Sequence, residues 1–113
     1  MVVHIVEDDA AVADALAMVI EDLNHRPVTY PDGETFFNKA EVSGNDWVIV
    51  DLGLPGMSGT DVVRTLKDLK ETPSLIAISG KSRTKLVRQL RELPELRILR
   101  KPLSIDMLAA ALA

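Results

Sequence analysis

The chain has 113 residues, no cysteine, 13 basic and 17 acidic side chains and a formal net charge of −4; that length fits a single domain with its own core, and the missing thiols exclude a disulfide framework and a thiolate metal site. Overall acidity argues against a dedicated nucleic-acid binder, and no apolar run approaches the roughly 20 residues that cross a bilayer. Met1 opens directly into an apolar segment with no basic stretch before it, so a soluble, unprocessed, cytoplasmic chain is expected.

Val2-Val3-His4-Ile5-Val6 is short, apolar and rich in β-branched residues, which predicts a strand ending at Glu7-Asp8-Asp9. Val12, Leu16, Val19, Ile20 and Leu23 then recur at the spacing of an amphipathic helix, ended by Asn24 to Pro27. Val28-Thr29-Tyr30 is a weak strand whose neighbouring proline points to a sheet edge. A short helix follows over Gly33 to Lys39, and Trp47 to Val50 form a second fully apolar strand, ending at Asp51. After a loop containing Gly53, Gly56 and Gly59, the residues Val62, Val63, Leu66 and Leu69 restore helical spacing until Pro73. Leu75 to Ile78 are the next strand, Leu86, Val87, Leu90 and Leu93 mark a helix, Ile98-Leu99 is a minimal strand, and a last helix covers Ser104 to Ala113. That helix stops after about three turns, and the natural chain is expected to continue beyond it.

Strand and helix alternate five times, and apolar strands without period-2 alternation belong in a parallel sheet covered on both faces. The expected fold is α/β: a doubly wound, flavodoxin-like, five-stranded parallel sheet of order 2-1-3-4-5 with five helices. Such sheets bind ligands outside the carboxyl ends of their strands. The strand ends here carry Glu7, Asp8 and Asp9, then Asp51, then Ser79-Gly80, then Arg100-Lys101-Pro102. Two carboxylates about 4 Å apart repel by about 4 kcal/mol at an effective dielectric near 20, so something positive belongs among them. A helix start favours one acid by capping and dipole but leaves the set of Glu7, Asp8 and Asp51 with Lys101 unexplained. An all-oxygen cluster suits Mg²⁺, with Lys101 as a second positive charge. An aspartate beside such a cation, a hydroxyl and a lysine is suited to accept a phosphoryl group.

These residues resemble the receiver domains of two-component response regulators, and the likeness spans essentially the whole chain. Val6-Glu7-Asp8-Asp9 is similar to the acidic pair after the first strand, and Asp51 to Gly59, DLGLPGMSG, is similar to the phosphoacceptor loop. Ser79-Gly80 and Lys101-Pro102 are similar to the switch hydroxyl with its small neighbour and to the lysine with its following proline, in that family a cis bond. Val3-His4-Ile5-Val6 and Met57-Ser58-Gly59 resemble the nitrogen-fixation type of regulator in particular. The resemblance implies one receiver domain over residues 1–113, with Mg²⁺ held by Glu7, Asp8, Asp51 and the Gly53 carbonyl. It implies that Asp51 accepts phosphate from a histidine kinase, Ser79 turns toward it and Lys101 pairs with it. The face built from the helix near Leu86 to Leu93, the strand at Ile98 and the final helix would then switch an output domain or partner protein.

Some positions depart from the family pattern. Ile98 stands where an aromatic is usual, Leu93-Pro94-Glu95-Leu96 replaces a small-residue turn, and Lys81 lies two residues after the switch hydroxyl, where phosphate lifetime is influenced. Two other functions stay open at this point: a docking module that works without phosphorylation, and a Mg²⁺-dependent hydrolase of the haloacid dehalogenase kind, against which Gly53 counts because that family needs an acid there. Residues 81–101 hold 8 basic side chains against Glu92 and Glu95, whereas residues 1–80 hold 5 of the 13 basic and 14 of the 17 acidic ones. The cationic stretch reads as a solvated helix face or as the match for an acidic surface on an output domain or a second copy of the chain, with no direct nucleic-acid or membrane contact. His4 and His25 read as hydrogen-bonded structural histidines and Trp47 as packing.

Overall fold

The structure is a computed structural model that describes residues 1–54, 56–80, 97–101 and 103–112. In chain order these form β1 (Val2–Val6), α1 (Ala10–Asp22), β2 (Arg26–Tyr30), α2 (Gly33–Lys39), β3 (Trp47–Asp51), α3 (Gly59–Lys67), β4 (Ser74–Ser79), β5 (Ile98–Arg100) and α4 (Ile105–Leu112). The helix expected around Leu86 to Leu93, the Leu93–Leu96 loop, Lys81 and Pro102 lie outside the described residues, so four of the five expected helices are seen.

All strand pairs are parallel and the sheet order is β2-β1-β3-β4-β5, the order expected from the sequence. β2 begins at Arg26, two residues earlier than its propensity indicates, because Arg26 and Pro27 pair with Val2 and Val3. Pro27 is tolerated inside it because an edge strand has one side without a neighbour. β4 likewise gains a residue at each end, Ser74 against Trp47 and Ser79 against Arg100.

Short polar side chains set the helix starts. Asp9 accepts from the Ala11 and Val12 amides at 3.0 and 3.3 Å, Asp32 from Thr35 at 2.6 Å, Ser58 from Asp61 at 3.1 Å, and Ser104 from Met107 at 3.1 Å. Such caps each stabilise a helix by about 1 kcal/mol. Asn24, in the left-handed region at φ 65°, ends α1.

The apolar strand runs bury both faces of the sheet. Val6, Val48, Val50 and Ala77 face α2 and α3 with Phe36, Val62, Val63 and Leu66. Val3, Ile5, Ile49, Ile76 and Ile78 face α1 and α4 with Leu16, Ile20 and Leu108. Each fully buried Val, Leu, Ile or Phe contributes about 1.5–3 kcal/mol of transfer free energy, which anchors the strands so that their carboxyl ends form a fixed rim.

Candidate functional site at the carboxyl ends of the strands

Register builds the site. Val6 pairs with Val50, Asp51 with Ile78, and Ser79 with Arg100, so the residues that leave β1, β3, β4 and β5 emerge at one height. Backbone hydrogen bonds carry the ladders slightly further: Glu7 N–H to the Tyr30 carbonyl at 3.0 Å, Leu52 N–H to Ile78 at 2.9 Å, and Lys101 N–H to Ser79 at 2.9 Å.

Asp51 is 5 % exposed. Its Oδ1 accepts from the Gly53 N–H at 2.9 Å and its Oδ2 from Lys101 Nζ at 3.3 Å. The same ammonium donates to Glu7 Oε1 at 2.7 Å. Glu7 is 2 % exposed, and its Oε2 is buried without a hydrogen-bond partner. Asp8 is exposed, yet one oxygen of each of Glu7, Asp8 and Asp51 falls within 4.8 Å of the others. Asp9, the third acid of the run, instead caps α1.

Charge is unevenly settled here. Burial first, and then the neighbouring Asp51, push the Glu7 carboxyl up to about 7, against the downward pull of Lys101. Burial also works upward on Asp51, but the Glu7 carboxyl, the Gly53 N–H and Lys101 outweigh it and hold Asp51 below the ordinary range. Burial lowers Lys101, and the two carboxylates more than reverse that. Without a metal, then, a proton at this site favours Glu7 over Asp51, and Asp51 is the more readily ionised of the two. The orphaned Glu7 oxygen, the three converging oxygen donors and the absence of nitrogen or sulfur among them fit a hard divalent cation such as Mg²⁺.

Ser79 is fully buried at the end of β4, and a Cβ on Gly80 would lie 3.8 Å from Lys101 Cδ. Ile98 is half-buried and packs on the cluster beneath α2 and α3. His4 bonds Tyr30 and Asp46, and Trp47 packs against the α1 side, the structural roles expected of them.

Two features escape sequence reasoning. Glu34 of α2 accepts from the Met57 N–H at 2.7 Å, across 23 residues, and no local pattern announces that pairing. A cavity of about 520 Å³ lies between α1 and α4, lined by Ala11, Ala15, Val19, Leu103 and Leu108 and reaching Lys101; the small residues on α1 are its only trace in the sequence.

The family model of the response regulator receiver domain matches residues 3–113. The sequence is 38% identical over 80 residues, 71% of the chain, to the sensory transduction protein RegX3 of Mycolicibacterium smegmatis. It is 35% identical over 79 residues, 70% of the chain, to the response regulator protein TodT of Pseudomonas putida. The match spans 35% of the length of each of these relatives. Among solved structures, a CheY-like response regulator receiver domain from Methylobacillus flagellatus superposes with a TM-score of 0.83 at 30% identity, covering 99% of this chain and 95% of that one. The response regulator DrrB, an OmpR/PhoB homologue of Thermotoga maritima, superposes with a TM-score of 0.82 at 25% identity, covering 96% of this chain and 49% of that one.

Proposed function

The chain belongs to the response regulator receiver domain family, a regulatory module of two-component signalling, and from that premise we propose that Asp51 accepts a phosphoryl group from the phosphohistidine of a histidine kinase. One observation carries the reading: a buried carboxylate, held ionised between an amide and an ammonium, faces two further acids at a sheet's carboxyl rim. An ionised Asp51 has the lone pair needed to attack phosphorus as the donor's P–N bond breaks. Lys101 then offers its ammonium to the phosphoryl oxygens, and Ser79, next along the rim, supplies a hydroxyl. Glu7, Asp8, Asp51 and the Gly53 carbonyl would hold Mg²⁺, which when bound offsets charge on the transferred group. Gly53 stands where the haloacid dehalogenase pattern has its second acid, which counts against turnover of outside substrates.

Phosphorylation adds roughly −1.5 to −2 charge and three acceptor oxygens beside Lys101, which holds the start of the segment between β5 and α4. The face that includes β5 and α4 is the proposed output surface, read by an output domain, a partner protein or a second copy of the chain. No helix among the described residues is long and apolar enough to cross a membrane; the proposed place of work is the cytoplasm, where kinase phosphohistidines form.

Acetyl phosphate or beryllofluoride with Mg²⁺ tests the reading by intact mass and by fluorine NMR. The expected result is one phosphoryl adduct per chain, lost in Asp51→Asn. Sustained phosphate release would instead mean a hydrolase, and indifference to both reagents would mean a docking module.

A further inference from the structure

We propose that Glu34 is a positioning residue for the phosphoacceptor loop, fixing the far end of a segment whose near end Asp51 itself fixes. This rests on the assignment of Asp51 as the acceptor. β3 ends at Asp51 and α3 begins at Gly59, and between them residues 52–54 and 56–58 are described. At the start of this connection the Gly53 N–H is taken by Asp51 Oδ1 at 2.9 Å; at its end the Met57 N–H is taken by Glu34 Oε1 at 2.7 Å. The second bond is short and charge-assisted, the stronger kind. Gly53, at the first of these two bonds, is the residue whose carbonyl is assigned to the metal.

The surroundings are shaped for this contact. Gly56 has φ +66°, and a Cβ there would lie 2.8 Å from Glu34 Oε1. A Cβ on Gly33 would lie 2.8 Å from Val62 Cγ2 and 3.2 Å from Met57 Sδ. Both glycines therefore let the first turn of α2 lie against the loop. Asp32 caps α2 through the Thr35 amide at 2.6 Å, and Glu34, the acid of the first turn, additionally carries its Oε1 to the Met57 N–H. Phe36, fully buried two residues on, fixes the helix from which Glu34 reaches.

Loss of the carboxylate frees the loop to sample arrangements that do not present Gly53 to the cation, and apparent affinity falls by the fraction of time spent in them. In Glu34→Ala the Mg²⁺ dissociation constant, by calorimetric titration, is expected to rise roughly fivefold. Phosphorylation by acetyl phosphate should fall by the same factor at limiting Mg²⁺ and recover at saturating Mg²⁺. Hydrogen exchange at the Met57 amide should quicken at least as much in the metal-free protein, a readout independent of activity. Glu34→Gln keeps an acceptor oxygen in place without its charge and should restore part of each effect, which a general loss of stability would not do. Glu34→Ala with Met57 exchange and Mg²⁺ affinity within twofold of wild type overturns the proposal, as does rapid Met57 exchange with unchanged Mg²⁺ affinity. A wild-type protein that gains no phosphoryl mass overturns the acceptor assignment instead, while Met57 exchange and Mg²⁺ titration still decide the role of Glu34.

Discussion

Glu7 has one carboxylate oxygen on an ammonium at 2.7 Å and the other buried without a partner, so its proton is worth more to the native state than to the unfolded chain. Its folded value of about 7 lies above the ordinary 4.5. Below the lower value both states carry the proton; between the two only the native state does, so the stability it confers is lost as pH rises through about 7. The metal-free protein is therefore expected to melt at a lower temperature at about pH 8 than at about pH 5, with Glu7→Gln flattening the difference. Saturating Mg²⁺ should restore the alkaline side, because a cation takes the place of the proton. Calorimetric melts with chelator and with Mg²⁺ check this, and an equal slope in Glu7→Gln would sink it. Asp51 acts in the opposite sense: held below its ordinary 3.8, it contributes above that value and its share is lost only under stronger acid. The identity of these acids was legible because strand ends announce themselves in the sequence. Glu34 was not, because its partner is brought beside it only by the packing of α2 on the loop after β3.

Among the elements, the strand-to-helix turn after β3 makes the sharpest demand on residue type. Its three glycines look alike in sequence, and the structure separates them. Gly56 sits at positive φ, Gly59 lies where a Cβ would overlap the Asp51 carbonyl oxygen and come 2.6 Å from Leu52 Cα, and Gly53 has neither constraint. Those atoms at Gly59 are backbone and cannot move aside, so Gly59→Ala is expected to cost about 3 kcal/mol or more in urea denaturation. Gly53→Ala, whose added carbon meets nothing closer than 3.5 Å, should change stability by less than about 1 kcal/mol. Equal effects from the two would refute the packing argument. The elements themselves were readable because buried parallel strands and striped helices leave strong apolar patterns. Their ends were less so: β2 starts where Met1 and Val2 offer partners, not where β propensity begins. Gly59 was readable as a turn residue, but the reason it must be glycine is a contact between α3 and β3.

Across the whole molecule, a buried polar chain ties three separate segments. His4 of β1 meets the Tyr30 hydroxyl at 3.0 Å and Asp46, just before β3, at 3.1 Å, while Asp46 also takes the Ser43 N–H at 3.1 Å. Burial works upward on the Asp46 carboxyl, but the Ser43 amide and His4 prevail and hold it below its ordinary value, so its contribution is lost only as pH falls below that value. Asp46→Ala strands the His4 ring nitrogen and is expected to cost about 1–3 kcal/mol at neutral pH; a urea midpoint equal to wild type would refute it. Nothing in the sequence joins residues 4, 30 and 46, and only the sheet order does. The same order puts β5 at the margin of the sheet, three residues long and, among the described residues, paired on one side alone. Lys101, directly after it, is stitched by its amide to β4 and by the tip of its side chain to the acids of β1 and β3. If Asp51 gains charge as proposed, Lys101 would carry the change to this lightly moored ribbon, and the news of it would surface at the rim rather than in the core.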